Sequence, residues 1–354
     1  MEGKAPLRIL GQTAYPRTAA SARVRVANYV PFLADRGLEL EFSPTLSAEE
    51  YRLLSSGVSP AKKAGAILRS AARAALERPP HDVLLVHRLR LLSPFPGVDP
   101  PRRLDAYDLD DALFLGSPAE INRRFQWAKQ EARRCVACLR RARLVIAGNA
   151  FLAGHARQHA TRVEVIPTCV DPQRQPVRRH GPREVVTVGW IGSHTTVGYL
   201  APVLPVMATL NRARLAARLV VVGGDTGWRE SWIEHRPWSL EAEPDVLASF
   251  DVGLMPMPDT DWARGKCGYK ILQYFSAGVP AIASPVGVAA ELVGGGERGL
   301  PASSAKEWRV ALKRLIGDAE ERRERGAAAR AFVEREYSYA RWTPRLAELL
   351  RSLA

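Results

Sequence analysis

Short apolar runs alternate with longer amphipathic stretches along the 354 residues. LRILGQ (7–12) predicts a strand, followed by a loop, AYPRTAASARVR. VRVANYVPFLADRG predicts a helix ending at Gly37, where a left-handed cap fits. LELEFSP alternates apolar and polar positions and predicts a second strand. PAKKAGAILRSAARAALERPP, bounded by prolines, predicts a helix over about 61–78. HDVLLVHR (81–88) is the short apolar strand of a buried parallel sheet. RRLDAYDLDDALF places a strand before an acidic cluster, and a basic helix is expected over about 121–142. RLVIAGN, AFLAGHARQHA and VEVIPT read as strand, helix and strand. This βαβαβ order argues for a parallel, doubly wound sheet.

Residues 171–183, DPQRQPVRRHGPR, are polar and rich in Pro and Arg, the composition of a linker. The alternation then restarts. EVVTVGWIGS reads as a strand, TTVGYLAPVLPVMATLNRA as a helix, ARLVVVGGD as a strand, DVLASF as a short helix and DVGLMPMP as a strand. GKCGYKILQYFSAGVPAIASPVGV (265–288) predicts a helix from glycine to glycine, then a strand. AKEWRVALKRLIGD, ERRERGAAARAFVEREYS and PRLAELLRSLA read as helices. Two α/β halves of similar size suit the two domains expected for this length. In such sheets ligands sit beyond the carboxyl ends of the strands.

Composition narrows the function classes. The chain is 46% hydrophobic with eight Trp, enough for sizeable cores. It has no run of ~18 apolar residues, so no membrane-spanning helix is expected. MEGKAPLRILGQ reads as a first strand rather than a signal peptide. Cys135 and Cys138 form a CxxC in a helical pattern. With no second CxxC or His pair, they read, with Cys169 and Cys267, as buried thiols of a cytoplasmic protein that holds no metal. The net charge of +14 is uneven: residues 1–180 hold 29 Lys and Arg against 17 Asp and Glu, and the rest hold 22 against 20. Such an excess attracts nucleic acid, anionic lipid or an anionic substrate, or is simply solvated. Stacking aromatics and nucleic-acid motifs are missing, so no nucleic-acid partner is expected.

Several motifs can carry chemistry. In VTVGWIGSHTT a strand ends in glycines, and Gly192, Ser193, Thr195 and Thr196 either hold a phosphate at a helix start or cap it. Gly223 and Gly224 in VVVGGDTG allow a close ligand approach or form a plain turn. Lys266, Lys270 and Gln273 stand at i, i+4 and i+7, one face of the expected helix. Two cations at a helix N-terminus oppose the dipole, and a bound anion would relieve them; solvated lysines are the alternative. In AYDLDDAL, Asp108 and Asp110 share a strand face with Asp111 at its end, able to bind sugar hydroxyls, assist proton transfer or cap the next helix. Arg23 and Arg25 in SARVR either meet an anionic group or lie solvated at a helix start. Lys62, Arg69 and Arg73 share a helix face that can rest on anionic lipid or on water.

WIGS, VVGGD, SFDVGLMPMPD and RGKCGYKILQYFSAGVPAIASPVGV together resemble the GT-B glycosyltransferases of family 4. The YP…RxR loop, YDLDDALF, VIAGNAFLAGHA and VIPTCVD agree, so the resemblance covers nearly the whole chain. It implies an α/β GT-B fold of two Rossmann-like domains facing across a cleft: 1–175 for the acceptor, 183–336 for a nucleotide-sugar donor, and a helix at 337–354 crossing back. It implies metal-independent transfer with retention of configuration, no cofactor beyond the nucleotide-sugar co-substrate, and an acceptor that is a glycan, a lipid-linked sugar or a small molecule. A lipid-linked acceptor would bring peripheral contact with an anionic membrane.

The family's paired glutamates align with Gly265 and Gln273, so both acids are absent, while Gly268 keeps the family's glycine. An amide at 273 can still serve a ribose diol. Lys266 and Lys270, flanking Tyr269, are the cations available for the diphosphate. Asp110 and Asp111 fall on the family's His-Asp pair near the reacting centre, and Trp238 either flanks the base or sits in the core. A nucleotide-sugar epimerase and a non-catalytic nucleotide-sugar-binding protein are the competing readings.

Overall fold

The computed structural model describes residues 5–55, 59–76, 79–92, 98–116 and 130–354. The chain divides into two compact units, one formed by residues 1–168 with 342–354 and the other by 169–341. The part of the expected basic helix before residue 130 lies outside the described residues.

The first unit is built on β1 (Leu7–Thr13), β2 (Leu38–Pro44), β3 (Val83–His87), β4 (Ala106–Leu109), β5 (Leu144–Ala147) and β6 (Val163–Val165). Every pairing is parallel, in the order β2-β1-β3-β4-β5-β6. β3 and β4 are buried along their whole length, as apolar central strands covered on both faces must be. The order reverses between β1 and β3, where Thr13 pairs with His87 at the carboxyl ends.

The helix expected after β1 is broken. A π-type turn covers Arg23–Ala27 and a helix resumes at Tyr29–Ala34. Pro31 has no N–H to offer the carbonyl one turn back, which accounts for the break. Gly37 closes the helix at φ +71°, as expected. The helix Ala48–Ser55, unforeseen in the sequence, places Glu50 against the helix Pro60–Ala75. Glu50 accepts from Arg69 Nε at 3.0 Å and pairs with Arg73. Two of the three cations of the presumed lipid-facing stripe are therefore drawn to a carboxylate. Cys135 and Cys138 are buried and free, and burial pushes the Cys135 thiol up to about 12.

The second unit is built on β7 (Val186–Ile191), β8 (Ala217–Val222), β9 (Ile233–Arg236), β10 (Val252–Met255), β11 (Ala281–Ala283) and β12 (Gly299–Pro301). The order is β12-β11-β10-β7-β8-β9, again parallel throughout. This is the Rossmann strand order, with its reversal between β7 and β10. The helix expected from Thr195 onward is a 3-10 turn, Val197–Leu200, followed by a helix, Leu204–Arg212. Pro202 interrupts it, while Pro205 fits the first turn, where its N–H would be unused.

The segment 171–183 is fastened to this unit. Arg178 donates from Nε (3.0 Å) and Nη2 (2.7 Å) to Asp251 Oδ1, and Asp251 Oδ2 accepts from the Thr187 N–H at 2.9 Å. The last helix, Tyr339–Arg351, leaves the second unit and belongs from Trp342 onward to the first. There Arg143 Nη1 donates to the Leu353 carbonyl at 2.6 Å and Arg345 pairs with Glu164 at 3.1 Å. Among the described residues, no helix is long and apolar enough to cross a membrane.

Candidate functional site

The strand reversals mark where each sheet opens a crevice for a ligand. In the second unit this is the end of β7. The chain there is Gly192-Ser193, and the Gly192 N–H donates to the Val222 carbonyl at 3.0 Å. A Cβ at Gly192 would stand 2.5 Å from the Trp190 ring and 2.8 Å from Lys270 Cε. The glycine is thus what lets the Lys270 stem lie along the strand end. Lys270 Nζ stands 5.2 Å from the Trp190 ring centroid, a cation–π geometry.

Beside it, Gly223 takes φ +79°, and a Cβ there would meet the Gly192 carbonyl at 2.3 Å and Trp238 Cβ at 3.2 Å. A Cβ on Gly224 would meet Val197 at 2.8 Å. Gly192, Gly223, Gly224, Trp238 and Lys270 therefore converge. Trp238 is half-buried and donates from Nε1 to Glu243 at 2.7 Å. Ser193 and Thr195 hydrogen-bond through their hydroxyls at 2.7 Å, and Thr196 Oγ1 donates to the Ser193 carbonyl.

The expected helix over 265–277 is two pieces, Asp261–Arg264 and Tyr269–Ser276, separated by Gly268 at φ +69°. A Cβ on Gly268 would meet Leu292 Cδ1 at 2.4 Å, so only glycine turns the chain here. Lys266 consequently lies off the helix, its Nζ 5.0 Å from the Trp262 centroid, and does not share a face with Lys270. Lys270 and Gln273 remain neighbours at i, i+3. Gln273 is buried, and its amide makes no hydrogen bond to the described residues. Tyr269 is half-buried against the apolar cluster of the same helix. Tyr274, which the sequence did not flag, accepts from the Ile191 N–H at 3.2 Å and donates to the Leu254 carbonyl at 3.1 Å, tying the helix to β7 and β10.

In the first unit the reversal lies at Thr13 and His87. Asp108, on β4, accepts from Arg25 Nε (3.0 Å) and Nη2 (2.5 Å), while Arg25 Nη1 donates to the Ile166 carbonyl at 2.8 Å. Arg25 is thereby enclosed in the interior rather than presented to an anionic ligand. Arg23 is buried too, with Nη1 at 3.4 Å from the Arg17 carbonyl. His87 Nδ1 lies 2.7 Å from Asp108 Oδ1. Burial alone would raise the Asp108 carboxyl; Arg25 and His87 outweigh it and hold the group below the usual range.

Arg88, at φ +58°, spans both acids of the motif: Nε lies 2.5 Å from Asp110 and Nη2 2.6 Å from Asp111. Against burial, Arg88 and then His87 keep Asp110 well below the ordinary carboxylate range. Tyr15 and Tyr51 meet edge to face with centroids 5.6 Å apart, and the Tyr15 hydroxyl, pushed up by burial, feels the Arg88 charge. His87, Arg88 and Tyr15 were not singled out from sequence. The available signal was a polar residue closing an otherwise apolar strand at its carboxyl end.

Residues 182–318 match the family model described as Glycosyl transferases group 1. The chain is a group 1 glycosyltransferase. Solved structures similar to this glycosyltransferase include the sucrose-phosphate synthase of Thermosynechococcus elongatus, with a TM-score of 0.68 and 14% identity, covering 98% of this chain and 99% of that one. HepE of Anabaena in complex with UDP and glucose gives 0.64 and 16%, covering 98% and 100%. TarM of S. aureus gives 0.59 and 11%, covering 76% of this glycosyltransferase, which spans only 56% of TarM. At these identities the likeness speaks for the fold, which is GT-B: two Rossmann-like domains, as the two parallel six-stranded sheets show. No curated protein matches the sequence significantly.

Proposed function

We propose that this glycosyltransferase binds a nucleotide-diphosphate sugar at the carboxyl ends of β7 and β8 and transfers the sugar, with retention of configuration and without a metal, to an acceptor engaged by Asp110 and Asp111. This is the family 4 pattern with an altered donor site. The observation that carries it is Lys270, laid against Gly192 at the strand reversal, one turn before the unpartnered amide of Gln273. The first turn of Tyr269–Ser276 leaves N–H groups unused within the helix, and together with Lys270 these suit a diphosphate. Gln273 suits the ribose diol, since an amide both donates and accepts. Gly192 and Gly223 leave room for close approach, and Ser193, Thr195 and Thr196 line the same turn.

As the glycosidic bond to the diphosphate breaks, negative charge grows on the leaving oxygen, and Lys270 with the helix N-terminus is the charge that receives it. The leaving phosphate then takes the proton of the acceptor hydroxyl on the same face, while Asp110 and Asp111 orient that hydroxyl. HepE, crystallised with UDP and glucose, makes a UDP-hexose the first donor to test. The acceptor is a glycan or small molecule rather than a membrane-bound one, because Arg69 and Arg73 are taken by Glu50. Thermal melts with UDP, GDP, TDP and ADP test the donor reading. One nucleotide at about a hundred times its Kd should stabilise the fold by about 2.7 kcal/mol, and no shift with any of the four would refute it.

A further inference from the structure

His87 is fully buried at the end of β3, and a buried imidazole has two nitrogens to satisfy. Asp108 is a carboxylate already accepting two hydrogen bonds from Arg25. It has no proton to give, so in the 2.7 Å contact His87 Nδ1 is the donor. That bond fixes both the tautomer and the plane of the ring. Nε2 is buried and has no hydrogen-bond partner. It stands 3.7 Å from Asp110 Oδ1, the same oxygen that Arg88 Nε approaches at 2.5 Å. The charged groups around the imidazole are Asp108 on β4, Asp110 just beyond it, Arg25 behind Asp108, and Arg88 next in the chain. An unsatisfied buried nitrogen is a cost that packing alone does not explain. A shift of under about 1 Å by the Asp110 carboxylate would bring it into hydrogen-bond range.

We propose that His87 is a positioning residue for Asp110: clamped through Nδ1 by Asp108 and Arg25, it uses Nε2 to set where Asp110 places its oxygens for the acceptor hydroxyl. The inference rests on the reading of Asp110 as an acceptor-side group. Asp110 is thus steered from two sides, by the Arg88 guanidinium and by the His87 ring. Nε2 is too enclosed to touch a substrate itself, so its influence passes through Asp110.

The test uses the full chain labelled with 15N-histidine. In Asp110→Asn the His87 Nε2 resonance should move while Nδ1 holds; both nitrogens unchanged would overturn the proposal. The second arm follows UDP-glucose turnover in His87→Asn, whose amide keeps a donor where Nδ1 stood and removes Nε2. His87→Asn and Asp110→Asn should each lower kcat about tenfold with the KM for UDP-glucose unchanged, and the double variant should be no worse than the poorer single. Additive losses would count against the proposal, as would a folded His87→Asn with unchanged kcat. If His87→Asn fails to fold, the nitrogen shifts decide alone. Absence of wild-type turnover with UDP-glucose would strike the donor reading and leave the nitrogen test standing.

Discussion

Gly192 and Lys270 depend on one missing methyl group. The lysine stem occupies the space a side chain at 192 would need, and the neighbouring Trp190 ring leaves that space no other exit. Lys270→Ala should weaken nucleotide-diphosphate binding about ten- to a hundredfold, the worth of one charge-assisted contact of about 1.5–3 kcal/mol. Gly192→Ala should weaken it as well while leaving Lys270 in place, because the added Cβ displaces the stem. Calorimetric titration with UDP measures both, and an unchanged Kd in Lys270→Ala would remove the lysine from the site. Lys270 and Gln273 were legible because i, i+3 neighbours on a helix share a face whatever the tertiary context. Lys266 was misplaced because a periodic pattern does not reveal that Gly268 is left-handed. Arg25 was misread for a different reason: its partner Asp108 is 83 residues away, and a charge in a sequence carries no record of what neutralises it.

The helix Tyr269–Ser276 is fastened at its far end by the segment once read as a linker. The carbonyls of Ser276, Ala277 and Gly278 accept, in turn, from Arg330 Nη1, the Arg178 N–H (2.8 Å) and His180 Nε2 (2.8 Å). Nε2 must therefore carry a hydrogen, and Nδ1 is left without a hydrogen bond, 3.9 Å from Asp251. Burial lowers the His180 pKa, and the bond to Gly278 with the Asp251 charge only partly opposes it. The folded state thus favours neutral His180, while the unfolded chain takes up a proton near 6.5. Stability is complete above that value, declines as pH falls from it toward the folded-state pKa, and levels off below. Melts between pH 8 and 5 should show this decline. His180→Gln, which keeps a donor for Gly278 but does not titrate, should flatten it. His155 is lowered in the same sense, so the difference between the two proteins is the measure. An identical slope in both would clear His180. At this scale the sequence showed the long buried strands well and missed β9 and β12. Both are edge strands of three or four residues, and Ile233–Arg236 is half-buried throughout, too short and too mixed to form an apolar run.

At the scale of the whole chain, the alternation of strands and helices was enough to expect two doubly wound sheets, because parallel strands demand crossovers and burial on both faces. The meaning of the charge excess in residues 1–180 was not legible. Part of it is interior: Arg25 serves Asp108, and Arg90 and Arg134 both reach Asp99, at 3.6 and 2.5 Å. These cations hold loops of the first unit together and offer nothing to an external anion. The C-terminal residues supply the rest of that unit. Leu346, Leu349, Leu350 and Leu353 are buried, and the chain end is held by Arg143. Leu350→Ala should therefore destabilise the protein by about 2–5 kcal/mol, the cost of a core leucine with its cavity. The residues proposed for the donor all lie between 192 and 273, in the other unit, so the UDP-induced stabilisation should survive the change. A lowered melting temperature with the nucleotide shift intact is the expected pair of results. A melting temperature equal to the parent's would show that the terminal helix contributes nothing to the first core, and loss of the nucleotide shift would mean that the two units do not keep their functions apart.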